Sequence, residues 1–195
     1  MGMPAYARRW TAAEVRELTD ASRHWPRYEL IGGELLVTPA PRPVHQIAVL
    51  SLARKLADYV DAEHLGMTLT SPSDLELEAD TITQPDIFVI PAAYSHDAGP
   101  LRQWGQVRGL LLAVEIVSPS SVRYDRVTKR EFFQRVGVPE YWVVDLDVRT
   151  VERWHPEDHA PEDLRERLEW RPAGSRAPLV LDLPALFATV LGEDR

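Results

Sequence analysis

The chain has 195 residues, 30 acidic against 22 basic, a formal net charge of −8 and no cysteine. Disulfides, zinc–thiolate sites and thiol nucleophiles are excluded, and any nucleic-acid footprint has to come from a local basic cluster. A length suited to one domain over 1–195, no apolar run near the ~20 residues of a membrane span, and an N-terminus without an apolar signal core predict a cytoplasmic, non-membrane protein.

In chain order, Thr11 and Glu14 form a capping-box pattern that predicts a short helix over 11–22. "RYELIGGELLVTPAP" predicts two short strands around Gly32-Gly33, closed by the prolines at 39, 41 and 43. From Val44 to about His64, apolar residues recur at helical spacing, which gives the longest predicted helix, with Gly66 expected to end it. Strands follow at 67–71 and at 74–78, where "DLELE" alternates apolar and acidic residues. Two more are predicted at 84–90 and 110–117, separated by the loop "YSHDAGP". A helix over 122–136 leads through Gly137 into "PEYWVVDL" and "TVERWHP", an antiparallel hairpin followed by the acidic surface loop "HPEDHAPED". The remainder predicts a strand or two and a short closing helix. Helices among mostly β segments place the chain in the α/β or α+β class with a mixed sheet.

The strands at 84–90 and 110–117 each carry an acid in an aliphatic run. By strand alternation Asp86 shares a face with Phe88 and Ile90, and Glu115 with Ala113 and Leu111. An unpaired buried carboxylate costs several kcal/mol, which a basic partner, a retained proton or a bridging divalent cation would offset. Asp86 follows Pro85 and also reads as an exposed strand end; Glu115 also reads as the partner of an arginine. Asp125 and Lys129, four residues apart, read either as a surface pair worth roughly 0.3–0.5 kcal/mol or as a lysine reaching back to the two acids. Asp, Glu and Lys at one strand edge form the set that metal-dependent phosphodiester hydrolysis uses, hard oxygens holding Mg²⁺ and an ammonium stabilising developing charge.

"QPDIFVI", "LLLAVEIVSPSS" and "YDRVTKREFFQRVGVPEYWVVD", together with "YELIGGELLVTPAP", resemble the Uma-two family of restriction endonucleases in the PD-(D/E)XK nuclease superfamily, over roughly 10–190. The resemblance implies a restriction-endonuclease-like α/β core, a central mixed sheet flanked by helices with the segment 10–40 packed on it, and a Mg²⁺ (or Mn²⁺) site at one sheet edge. Pro85-Asp86 matches the PD element and Glu115 the second acidic position. The usual lysine two residues on is Val117 here, and Lys129 on the following helix matches that role. Glu34 matches an N-terminal acid common to such folds, though it also reads as an exposed acid at a hairpin turn. The main-chain carbonyl of Ile116 is implied as a further metal ligand.

Several residues carry lesser expectations. Gln84 reads as a hydrogen-bonding residue near the metal or as an ordinary strand start, and His45 as a base or as a helix cap. Arg123, Arg126 and Arg130, with Arg135, are the candidate DNA-binding cluster, or else a solvated helix face. Ser118 and Ser120 lack a nucleophile elbow or triad; Tyr141 and Trp142 read as core aromatics. A Mg²⁺-dependent endonuclease acting on DNA, by analogy a homodimer, is the first reading. A catalytically silent nucleic-acid-binding or protein-interaction module of the same fold is the second, and the negative net charge favours it. The arginines discriminate: they line a groove to the acids in the first case and pair with local acids in the second. A glycosidase fits less well, since nothing places tryptophans beside the two acids.

Overall fold

The structure, a computed structural model, describes residues 8–22, 26–94 and 101–193. Beyond Tyr94, the predicted loop "YSHDAGP" lies outside the described residues, as does the start of the N-terminal segment. Helix α1 (Ala12–Ala21) opens on the predicted capping box, Thr11 and Glu14 bonding each other's main-chain N–H groups. Strands β1 (Arg27–Ile31) and β2 (Glu34–Thr38) form a hairpin. Gly32 and Gly33 both have positive φ, as a two-residue turn of this hand requires.

Helix α2 (Pro43–Ala62) leads into β3 (Gly66–Thr70), β4 (Ile87–Pro91) and β5 (Leu112–Ile116). A helix over 122–135 connects β5 to β6 (Tyr141–Asp145); its Tyr124–Lys129 stretch is π-helical and its last part is α3 (Arg130–Arg135). Strands β7 (Thr150–Trp154) and β8 (Glu162–Leu164) complete a six-stranded sheet of order β3-β4-β5-β6-β7-β8. Within it β5 and β6 run parallel and the other pairs antiparallel. Strands β9 (Arg167–Trp170) and β10 (Leu179–Asp182) pair separately before α4 (Leu183–Leu191). This is the expected α/β architecture with a mixed central sheet.

Parallel neighbours need a long crossover, and the helix over 122–135 supplies it. The central strands β4, β5 and β6 are buried on both faces, and the alternation of each sorts its residues between two cores. Ile87, Val89, Leu112, Val114 and Ile116 pack with α2 and α4 through Leu52, Leu56 and Phe187. Phe88, Ile90, Ala113 and Val143 pack on the other face with Phe132 and Phe133 of α3. Alternation therefore puts Glu115 on the crossover-helix side, at the C-terminal end of β5, where ligands of such sheets bind.

Two local expectations are corrected. No strand forms at 74–78: Leu75 makes only an isolated bridge to Thr83. Leu75 and Leu77 do face the core, but Glu76 and Glu78 reach out to Arg16 and Arg135. Alternation reported which side each residue faces; it could not report that no strand lies alongside. Gly66 does not end α2. The left-handed residue after that helix is His64, and Gly66 opens β3, where a Cβ would collide with the carbonyl oxygen of Ile90.

Candidate active site

The 84–90 strand begins later than predicted, at Ile87, which leaves Gln84, Pro85 and Asp86 free of the ladder at the mouth of the sheet. Asp86 Oδ2 accepts from the main-chain N–H of Ile116 at 2.9 Å and lies 3.0 Å from His45 Nε2. One carboxylate thus ties the end of β5 to the first turn of α2. His45 donates to the Asp86 carboxylate in that contact, and its Nδ1 is buried without a hydrogen-bond partner. Burial alone would lower the pKa of His45. The hydrogen bond to Asp86, the charge of Asp86 and the main chain at Ile116 outweigh it, and the pKa is raised.

Lys129 and Asp125 are not a surface pair. They are 2% and 3% exposed, and Glu115 is 3% exposed. Lys129 Nζ donates to Glu115 Oε1 at 2.7 Å and stands 2.9 Å from Glu29 Oε1. The π-helical turn carries both Asp125 and Lys129 inward; such turns insert an extra residue per turn and are frequent at functional sites. Burial would strip the proton from Lys129, but the carboxylates of Glu115, Glu29 and Asp125 hold its pKa well above the ordinary lysine value. It is an ammonium, not a free base.

Glu29 is the acid that sequence reasoning missed. It lies on β1, nearly inaccessible, with its Oε1 accepting from the main-chain N–H of Gln84 at 2.7 Å. "YELI" did carry a signal, an acid at a strand position flanked by apolar residues on both sides. Glu34, the N-terminal acid expected at the site, is exposed at the start of β2 and does not line the cavity. The hairpin register explains the exchange: Glu29 faces Leu36 across the ladder, whereas Glu34 sits beside the turn.

Glu29, His45, Asp86, Glu115, Asp125 and Lys129 open onto one cavity of about 290 Å³, with Arg27, Arg42 and the turn Ser118–Ser121 also in its lining. Gln84 is 7% exposed; its Nε2 donates to Asp74, while its Oε1 is buried with no donor. Arg123, Arg126 and Arg130 do not line the cavity. Arg123 is exposed, Arg126 is paired with Asp145 and Glu152, and Arg130 with Glu131, while Arg135 is paired with Glu78. The crossover helix turns its lysine and aspartate to the site and its arginines away. The cations of the cavity mouth come from the hairpin and the entry to α2, as Arg27 and Arg42.

Carboxylates outnumber ammonium charge around Lys129. Burial pushes Glu115 well above the ordinary carboxylate range; Lys129 opposes this, and Asp86, Asp125 and Glu29 add to it. Burial likewise pushes Asp125 up to about 6, against the pull of Lys129 and a bond from Ser121. A dication would relieve that crowding. The donor set suits one: Asp86, Glu115, the Ile116 carbonyl and the orphaned Gln84 oxygen are hard oxygens. Among the described residues no group of three or more His, Asp or Glu side chains forms a ready cage.

The raised pKa of Asp125 makes a stability prediction. The folded protein holds that proton more tightly than the unfolded chain, so the contribution is most favourable below 3.8 and is lost as pH rises to about 6. Asp125→Asn is expected to stabilise the protein by roughly 1–3 kcal/mol more at neutral pH than at about pH 4. Urea unfolding of both proteins at the two pH values checks this; a pH-independent difference would contradict it.

The sequence model of the Uma2 family, described as "Putative restriction endonuclease", matches residues 12–190. The chain belongs to the Uma2 family. A solved structure from Anabaena variabilis ATCC 29413, described as "a putative nuclease belonging to DUF820", superposes with a TM-score of 0.71 at 20% identity, covering 90% of this chain and 98% of that one. At that identity it establishes the fold shared by this Uma2 member and no more. No curated protein matches the sequence. Among the described residues no helix is long and apolar enough to cross a membrane.

Proposed function

We propose that this Uma2 protein is a Mg²⁺-dependent endonuclease that hydrolyses phosphodiester bonds of DNA. The observation that carries the reading is the meeting of Asp86, Glu115 and Lys129 in one cavity with more acid than base around them. Asp86, Glu115 and the Ile116 carbonyl would hold the ion. Bound there, Mg²⁺ supplies Lewis-acid polarisation of the phosphate and acidifies a water.

The chain's own groups do the rest. In the reaction a water oxygen bonds to phosphorus and gives up a proton to solvent, the bond to one sugar oxygen breaks, and that oxygen takes up a proton from solvent. His45 and the Ile116 N–H fix the Asp86 carboxylate, so that it need not reorganise as charge develops. Glu29 and Glu115 keep Lys129 protonated and aimed at the cavity, where it stabilises the growing negative charge rather than removing a proton. The second reading, a silent binding or interaction module, draws support from the pairing of Arg126 with Asp145 and Glu152.

Incubation of DNA substrates, closed-circular plasmid among them, with Mg²⁺, Mn²⁺ or EDTA separates the two. Cleavage that needs the ion and is lost in Glu115→Gln is expected. Titration calorimetry showing no binding of either ion would favour the silent module, and cleavage that persists in EDTA would overturn the metal.

A further inference from the structure

The cavity also limits which form of polynucleotide reaches the acids, an inference that rests on the nuclease reading. Its volume of about 290 Å³ is at the small end of ligand pockets, ~300–1,000 Å³, room for about one nucleotide unit. Specific duplex interfaces bury ~1,000–2,500 Å² and are strongly basic. Here five carboxylates in the lining (Glu29, Asp86, Glu115, Asp125 and Asp147) face four basic residues, Arg27, Arg42, His45 and Lys129, and of these Lys129 is already held by two of the acids and His45 by Asp86. Three of the four arginines on the crossover helix are engaged, Arg126 by Asp145 and Glu152, Arg130 by Glu131 and Arg135 by Glu78, and the fourth, Arg123, is exposed outside the cavity lining.

A duplex brings one phosphate charge per ~1.7 Å of axis, and a single strand about half that density. A single strand can also splay one nucleotide into a narrow cleft, whereas a duplex must first unstack it. The lining suits such a nucleotide. Leu36, Pro39, Pro41 and Val44 offer an apolar surface to a base, while Arg27 and Arg42 offer donors to a phosphate beside the mutually bonded hydroxyls of Ser118 and Ser120. We infer that the substrate is a single-stranded polynucleotide, one nucleotide of which enters the cavity with its phosphate at Arg27 and Arg42 and its base against the apolar lining.

The test is fluorescence anisotropy of the full chain in Ca²⁺ with a labelled single-stranded DNA, the same sequence as RNA, and the DNA as a duplex. At least one single strand should bind about ten-fold or more tighter than the duplex, and the DNA and RNA arms identify the sugar. Its log K should fall with log salt at a slope of roughly −0.7, for the one phosphate held by Arg27 and Arg42. An abasic nucleotide in the strand should weaken binding several-fold, and Arg42→Ala should flatten the salt slope. Duplex binding as tight as that of the single strands, or binding of neither, overturns the inference. Cleavage in Mg²⁺ is scored separately: duplex cut in preference to single strand overturns the inference and leaves the nuclease standing. Tight single-strand binding without any cleavage sinks the nuclease and leaves the binding preference intact.

Discussion

Asp86→Asn is expected to lower metal-dependent cleavage by at least ~10²-fold, the scale on which a single preorganised electrostatic group acts, while the protein stays folded. Asparagine keeps an oxygen for the Ile116 N–H and a side chain of the same shape beside His45, so the tie between β5 and α2 survives. What it loses is the negative charge that a dication needs. Asp86→Ala is a poorer probe, because it strands the Ile116 N–H and the His45 ring at a cost of about 1–3 kcal/mol. Cleavage assays on both variants, with urea unfolding alongside, separate lost chemistry from lost structure. Full activity in Asp86→Asn would remove Asp86 from the metal shell.

Lys129→Met is expected to produce the largest stability change, about 3–5 kcal/mol of destabilisation at neutral pH, as when one partner of a buried ion pair is removed. The ammonium serves two buried carboxylates, Glu29 and Glu115, at 2.9 and 2.7 Å. Without it both must be ionised in the interior or carry protons. Because Glu115 already binds its proton more tightly in the fold than in the open chain, the loss should be greatest at neutral pH. It should shrink as pH falls through the raised folded-state value of Glu115 and level off below the ordinary glutamate value of 4.5. The triple variant Glu29→Gln/Glu115→Gln/Lys129→Met should recover most of the stability and none of the activity, since neutral replacement of a whole buried cluster is often tolerated. Denaturant unfolding across pH measures both, and a stable single variant would show that the cluster is not energetically coupled.

The two acids that interrupt aliphatic runs could be read from residues alone, because an ionisable group in an apolar strand is costly enough to demand a reason. So could the capped α1, the glycine-turned hairpin and the long α2, whose signals are local in the chain. The strand at 74–78 was misread from the same kind of signal. Alternation records burial on one side, and hydrogen bonding to a neighbouring strand is a separate fact. Helical spacing left Asp125 and Lys129 open between a surface pair and a lysine reaching back to the acids, and Lys129 does meet Glu115; the π-helical turn and the proximity of Glu29 are properties of the folded chain. The exchange of Glu34 for Glu29 has the same origin, since only the hairpin's placement over the cavity distinguishes two acids five residues apart.

Composition and pattern by themselves determined an acidic, cysteine-free α/β chain with carboxylates embedded in its sheet, because each of those properties is set by residue type and short-range spacing. The tertiary structure alone decided which charges meet. Lys129 is shared between an acid on β5 and one on β1, and three arginines of the crossover helix are engaged by acids outside the cavity. Electrostatic energy depends on distance through space and on burial, and neither is a function of position along the chain.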